Sequence, residues 1–357
     1  MKRIKQLIKP SVLAMQSYHV PAANGLTKLD AMENPYPWPE DLKREWLKVI
    51  SSVEFNRYPE AGANTLKASM CKALKVPDGM DIMLGNGSDE LIQILALALG
   101  GSGRVFMAPE PSFVMYRQIS QTVDARFVGV PLMPDDFSLN RKAMLSAISA
   151  LEPSLIFLAR PNNPTGNLFD ENLIIEIVQE AQGLVVIDEA YYAFAKETLM
   201  EYLPRFENML IMRTFSKSGL AGLRLGYLMG PRDWLVELDK IRLPYNINVL
   251  TQKTVEFILG HSKLLEDQAA AICAHREQMF DSLAAIPGLS VWPSAANFLL
   301  FRSNNRPALE VFEGLKGAGV LIKNLDGSHP LLENCLRVTV GLDTENHRFL
   351  EALESLI

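Results

Sequence analysis

Cysteine is nearly missing from this chain, with 3 in 357 residues. An odd number so widely spaced makes neither a disulfide framework nor a zinc-ligand pattern, so Cys71, Cys273 and Cys335 read as reduced core thiols of a cytosolic protein. The 5 histidines (His19, His261, His275, His329 and His347) are equally scattered and set out no metal site. Positive charge is not in excess. Against 41 Asp+Glu stand 35 Lys+Arg, a formal net charge of −6, which argues against nucleic-acid binding and obliges any anionic ligand to find a local basic cluster. Long apolar runs are lacking too: the most apolar stretch, 91–99, contains Gln93 and is too short to span a bilayer. The opening MKRIKQLIKPSVLAMQSYHVP is basic, then only mildly apolar, so no secretory leader is expected. Repeats are missing as well, which removes solenoid architectures.

What is present is 48% hydrophobic and 21% charged residues, the composition of a folded chain long enough for two domains with a cleft between them. Pro21, Pro35, Pro37 and Pro39 mark an extended arm. Leu42, Trp46, Leu47 and Ile50 then recur at helical spacing. Beyond them, strands are expected at 104–108, 126–130, 154–159, 184–188, 209–213 and 225–229, with helices between them at 89–99 and 170–182. Runs such as LIFLA and LVVID are apolar on both faces, as strands covered by helices on each side must be. The expectation is an α/β fold with a largely parallel sheet. Past Pro244 a single long helix over 248–285 is expected to lead into an α+β tail, with strands near 297–301, 320–323 and 335–340. The division expected is an arm (1–40) against the smaller domain, a large domain (41–250) and a small C-terminal domain (251–357).

Ligands of open α/β sheets sit beyond the carboxyl ends of the strands. There the chain places Asn163 in RPNNPTG, Asp188 followed by Glu189, Ala190 and Tyr191, and Thr214, Ser216, Lys217 and Arg224 in TFSKSGLAGLR. GNGSDE (85–90) runs straight into a helix. Each piece alone has an ordinary reading: Ser88 or Asp89 as a helix cap, Asp188 as a turn residue, Lys217 and Arg224 as surface cations. Together they are more specific. A lysine among small residues after a buried strand can be desolvated into a nucleophile, and a buried carboxylate needs a positive partner. Hydroxyls with an arginine and a helix N-terminus suit a phosphate. An amine for an aldehyde, a carboxylate for a pyridinium nitrogen and a phosphate cradle describe one cofactor, pyridoxal 5′-phosphate, whose phenolic oxygen Asn163 and Tyr191 would serve.

Through NPTG (163–166), D-x-A-Y (188–191) and S-K-x-x-x-x-G-x-R-x-G (216–226), the chain resembles the fold-type-I pyridoxal-phosphate-dependent aminotransferases over essentially its whole length. Within that family the likeness is nearest to the branch acting on histidinol phosphate. It is carried by QSYHVP (16–21), KLDAMENPY (28–36), NRYPE (56–60), GNGSDELI (85–92), RTFSKSGLAGLRLGY (213–227) and HPLLENCLRVTVG (329–341). The resemblance implies a mostly parallel seven-stranded sheet between helices plus a smaller α+β domain, and a cytoplasmic homodimer with shared sites.

It also implies roles for individual residues. Lys217 would carry the cofactor and move a proton between substrate Cα and C4′, and Asp188 would keep the ring nitrogen protonated. Asn163 and Tyr191 would bond the 3′-oxygen, and Phe113 would stack on the ring. Ser88, Asp89, Thr214, Ser216 and Arg224 would hold the cofactor phosphate, joined by Tyr58 from a neighbouring subunit. Arg337 would grip the substrate phosphate in one half-reaction and the carboxylate of glutamate, or of 2-oxoglutarate, in the other. Tyr18, Lys323 and Asn163 would complete that pocket, with no metal, nucleic acid or membrane involved. Three departures stand out. Phe113 replaces a commoner tyrosine, Lys323 a commoner arginine, and the step from Lys217 to Arg224 is one residue shorter than in many relatives. The rival readings are a threonine-phosphate decarboxylase, an aromatic or general amino-acid aminotransferase, and the ligand-binding half of a transcriptional regulator. Segments 16–36 and 329–341 argue against the decarboxylase, and the net acidity against the regulator.

Overall fold

A computed structural model describes residues 2–17 and 23–357, so Tyr18 lies outside the described residues. The larger sheet has seven strands: β1 (Met80–Asn86), β2 (Val105–Glu110), β3 (Arg126–Pro131), β4 (Leu155–Ala159), β5 (Leu184–Asp188), β6 (Met209–Thr214) and β7 (Leu225–Pro231). Their spatial order is β1-β7-β6-β5-β4-β2-β3. Only β7 is reversed, pairing antiparallel with β6 and β1, while the remaining pairs are parallel.

Both faces of the sheet are covered. Ile156, Leu158, Val185 and Ile187 belong to one apolar cluster, and the alternating Leu155, Phe157, Leu184 and Val186 to another on the opposite side. Every residue of β4 and β5 is buried, the physical reason for their unbroken apolar runs. The six expected strands are all present, with ends displaced by a residue or two. Strand β1 was not foreseen, since its Met-rich MDIMLGN carries little β-branched signal. It matters to the site, because Asn86 is the register partner of Leu225 and so sets the start of α1 (Ser88–Leu99) beside Arg224. Helix α2 (Met115–Thr122) follows β2.

The single helix expected over 248–285 is corrected to two, α3 (Val249–Leu259) and α4 (Ser262–Ala285). Asn248 caps α3 by accepting the Thr251 N–H at 2.9 Å, and Gly260 ends it. Glycine is a poor helix former, and the His261 ring nitrogen lies 3.0 Å from the Phe257 carbonyl in the last turn, closing it off.

The smaller sheet is antiparallel, with β8 (Leu289–Val291), β9 (Phe298–Ser303), β10 (Lys323–Asn324) and β11 (Cys335–Thr339) in the order β10-β11-β9-β8. The strand expected at 320–323 is corrected to two pieces. Val320–Leu321 pairs in parallel with Thr27–Lys28, and only Lys323–Asn324 joins β11. The arm continues along this sheet, with Thr339 N–H donating to the Leu29 carbonyl and Asn297 Nδ2 to that of Met32. That path brings the carbonyls of Asp30 and Ala31 to the carboxyl edge of the larger sheet. Earlier in the chain, Lys9 and Ser11 instead bond Asp124 beside α2.

Candidate active site

The ends of β5, β6 and β7 converge with the start of α1 on one cleft. Ser88, Asp89, Phe113, Asn163, Asp188, Tyr191, Thr214, Ser216, Lys217 and Arg224 all line it, with Met32 from the arm. Every residue expected to touch the cofactor within one chain is therefore brought together.

Asp188 is the last residue of β5 and is only 5% exposed. One carboxylate oxygen accepts the Tyr116 phenol O–H at 2.5 Å and the other the Ala190 N–H at 3.0 Å. Burial pushes its pKa up to about 6, the charges of Asp89 and Glu189 add to the rise, and the two hydrogen bonds oppose it. Neither bonded partner is a cation. A cationic ring nitrogen in the cleft would supply the missing charge, which is how the site fits a pyridinium.

Lys217 follows β6 in an irregular turn that Gly219, at φ 103°, allows. Its Nζ donates to the Ala31 carbonyl at 3.2 Å and lies 5.8 Å from the centroid of the Tyr191 ring. Burial lowers its pKa to about 8, and the positive charge of Arg337 pushes the same way. A larger share of neutral amine near neutral pH is what a nucleophile toward an aldehyde requires.

The phosphate cradle is built on register. Gly226 pairs with Thr214 across β6 and β7 and with Gly85 across β1 and β7. A Cβ at Gly226 would stand 2.6 Å from the Ser88 nitrogen, and one at Gly87 (φ 85°) 2.6 Å from Arg224 Nη2. Two glycines thus keep clear the N-terminus of α1 and the guanidinium facing it. Arg224 donates to Ser216 Oγ at 3.2 Å and meets Asp89 at 3.4 Å, and Thr214 Oγ1 accepts the Ser216 N–H at 3.1 Å. Backbone N–H groups, two hydroxyls and a guanidinium around one opening form the donor set that a phosphate takes.

A second cavity of ≈ 420 Å³ adjoins the cleft and shares Met32, Phe113 and Asn163 with it. Lys323, Arg337 and His329 line it. Lys323 and Arg337 are register partners on β10 and β11, which puts both cations on one wall. Arg337, 7% exposed, donates to Asn163 Oδ1 at 2.5 Å and to the Asp30 carbonyl at 2.9 Å. With its oxygen engaged, the Asn163 amide turns its N–H₂ the other way. Tyr58 is not in the cleft. It is 81% exposed and stacks on Tyr245 at 4.4 Å.

Three features escaped the sequence reading. The Tyr116 phenol bonds Asp188, for which the only sequence signal is the i, i+3 spacing from Phe113 to Tyr116 on the element after PEPS. A buried pair joins the ends of β5 and β6, Arg213 donating from Nε to Glu189 at 2.9 Å with its guanidinium 3.7 Å from the Tyr192 ring centroid. The carbonyls of Asp30 and Ala31 orient Arg337 and Lys217.

Comparison with known proteins gives a consistent account. Residues 24–353 match the family model described as aminotransferase class I and II. A histidinol-phosphate aminotransferase of Nitrosococcus oceani is 50% identical over 99% of this chain and 98% of its own. One of Ralstonia nicotianae is 49% identical over 97% and 93%. In fold, the chain is similar to the crystal structure of the Sinorhizobium meliloti histidinol-phosphate aminotransferase in complex with pyridoxal 5′-phosphate. That likeness has a TM-score of 0.87 at 22% identity and covers 98% of this chain and 97% of the other. The chain belongs to the class I and II aminotransferases, among the histidinol-phosphate aminotransferases.

Proposed function

We propose that the protein moves an amino group between L-histidinol phosphate and 2-oxoglutarate, producing imidazole acetol phosphate and glutamate for histidine biosynthesis. The observation that carries this reading is the pairing of Lys323 with Arg337 across β10 and β11, in a cavity continuous with the cofactor cleft. Bound pyridoxal phosphate supplies the aldehyde carbon that takes up the amino group and the protonated ring that withdraws electrons from it. Lys217 would hold the cofactor through its amine and, once free, would take the proton from substrate Cα and return it at C4′. Asp188 holds the proton on the ring nitrogen, and the free N–H₂ of Asn163 with the Tyr191 hydroxyl serves the 3′-oxygen. Ser88, Asp89, Thr214, Ser216 and Arg224 would anchor the cofactor phosphate, and Phe113 would stack on the ring. Two substrates passing in turn through one site give ping-pong kinetics.

Histidinol phosphate carries a phosphate and no carboxylate, so Arg337 must receive a phosphate in one half-reaction and the glutamate carboxylate in the other. Lys323 adds a point charge suited to the dianion. A charge-assisted bond contributes about 1.5–3 kcal/mol, so Lys323→Ala should slow the histidinol-phosphate half-reaction roughly ten- to a hundredfold and spare the glutamate half. Arg337→Ala should damage both. Single-turnover kinetics of each half, followed by cofactor absorbance, make the test. Equal losses in the two halves of Lys323→Ala would remove Lys323 from phosphate recognition.

The same reading makes the active unit a cytoplasmic homodimer. Phe55, Tyr58 and Leu243 are 68%, 81% and 72% exposed, a large apolar surface for a single chain to leave in water. Among the described residues, no helix is long and apolar enough to cross a membrane. Sedimentation should give twice the chain mass, and Tyr58→Ala should weaken cofactor retention without touching Lys217. A monomer that turns over normally would refute the shared site.

A further inference from the structure

We propose that Tyr116 is a positioning residue of this reaction: its phenol O–H aims the Asp188 carboxylate at the cofactor ring nitrogen and keeps that carboxylate ionised. The proposal rests on the reading of Asp188 given above and adds a residue to it.

Tyr116 sits on α2, beyond the residues that wall the cleft at Asp188, and is 1% exposed. Its ring lies parallel on Phe157 of β4 at 4.4 Å and takes the edge of Phe113 at 5.5 Å. A ring clamped on two sides holds its phenol oxygen in place, 2.5 Å from Asp188 Oδ2, to which its O–H donates. Burial, then the neighbouring Asp188 charge, raises the Tyr116 pKa well above its ordinary value, so it remains a donor throughout the working range. With one oxygen fixed by Tyr116 and the other by the Ala190 N–H, the plane of the carboxylate is set, and each oxygen keeps a lone pair for a further donor.

The charges around Asp188 explain why such a donor is needed. Asp89 reaches it from α1 and Glu189 from its own strand end, and both disfavour a second negative charge, as burial does. Glu189 is itself engaged by Arg213, and Tyr191 faces Tyr116 from the segment after β5. Against these, the O–H of Tyr116 and the N–H of Ala190 are the groups that favour the ionised form. The edge contact with Phe113 also couples the residue lying against the cofactor ring to the one facing its nitrogen.

Tyr116→Phe removes the O–H and keeps the ring, its stacking and its volume. At neutral pH kcat should fall roughly two- to tenfold, because losing one hydrogen bond to a charged group moves the Asp188 pKa up by about one to two units from about 6, with substrate KM little changed. The acid limb of the kcat profile should move up by about one pH unit or more, so that raising the pH restores activity. A second readout needs no cofactor. In the cofactor-free protein, the Asp188 pKa of about 6 lies above the ordinary 3.8 of an aspartate, so its stability contribution is present at low pH and is lost as pH rises toward 6. The difference in urea stability between the protein and its Asp188→Asn variant isolates this titration. In the Tyr116→Phe background that difference should keep falling beyond pH 6. A uniform loss of kcat with an unshifted acid limb would reduce Tyr116 to packing and overturn the proposal, as would an unchanged stability titration. Near-normal turnover in Asp188→Asn would overturn the reading of Asp188 and the proposal with it, whereas collapse of Asp188→Asn beside an unaffected Tyr116→Phe would overturn the proposal alone.

Discussion

Lys217→Ala should lose both its covalent hold on pyridoxal phosphate and essentially all turnover, a fall on the order of 10⁴-fold, the upper range for removal of a group that transfers the reacting proton. The purified protein should be yellow. Borohydride should bleach it and leave the cofactor attached to the peptide containing Lys217, and attachment at any other lysine would refute the assignment. The environment of Lys217 makes a sharper claim. Its pKa of about 8, against an ordinary 10.5, comes first from burial and then from the charge of Arg337. Capture of free cofactor by the cofactor-free protein needs the neutral amine. Its rate should rise about tenfold per pH unit up to about 8 and level off above. A rate still climbing toward pH 10 would mean that Lys217 is an ordinary solvated lysine. Arg337→Ala should carry the midpoint upward, because it removes a like charge from beside the amine.

What could be read from the letters alone was the chemistry that sits at strand ends. Asn163, Asp188 and Lys217 each follow a short apolar run whose both-faces burial is visible in composition, and α/β topology places whatever follows such a run at the ligand edge. What escaped was chemistry assembled across the chain. The bond from Tyr116 to Asp188 spans 72 residues and that from Arg337 to Asn163 spans 174, and no local pattern encodes either. The carbonyls of Ala31 and Asp30 act through backbone, which every residue has, so the sequence carries no mark of them. Other misses had local causes. Gly260 was overridden by the Ala-, Glu- and Gln-rich pattern around it, although it divides α3 from α4. The letters of 320–323 read as one strand, yet after Leu321 the chain leaves the arm, so that Lys323 pairs with Arg337 instead. That exchange of partners puts the second cation in the cavity beside the cleft, a consequence of tertiary packing that propensity could not carry.

Asp188→Asn is expected to lower turnover by about 10²- to 10³-fold, the effect of removing one preorganised charge from a dry site, while leaving cofactor attachment to Lys217 intact. The substitution conserves shape. An amide oxygen can still accept the Ala190 N–H, and the Tyr116 hydroxyl can turn to accept from the new N–H₂. What would disappear is the negative charge proposed to hold a proton on the ring nitrogen, and an unprotonated ring withdraws electrons poorly. Because the same ring serves both substrates, the histidinol-phosphate and glutamate half-reactions should slow by similar factors. That evenness separates Asp188 from Lys323, whose loss is expected to fall on one half alone. Borohydride should still place the cofactor on Lys217 in this variant, so the lost turnover cannot be ascribed to an empty site. Asp188→Glu should fare little better: the side chain lies in a site only 5% exposed, and an added methylene must displace either the Tyr116 bond or the Ala190 bond. Rapid single turnover of Asp188→Asn with both substrates would mean that another group holds the ring proton. Asp188 would then be a buried carboxylate that the fold keeps at a cost in stability and without a catalytic return.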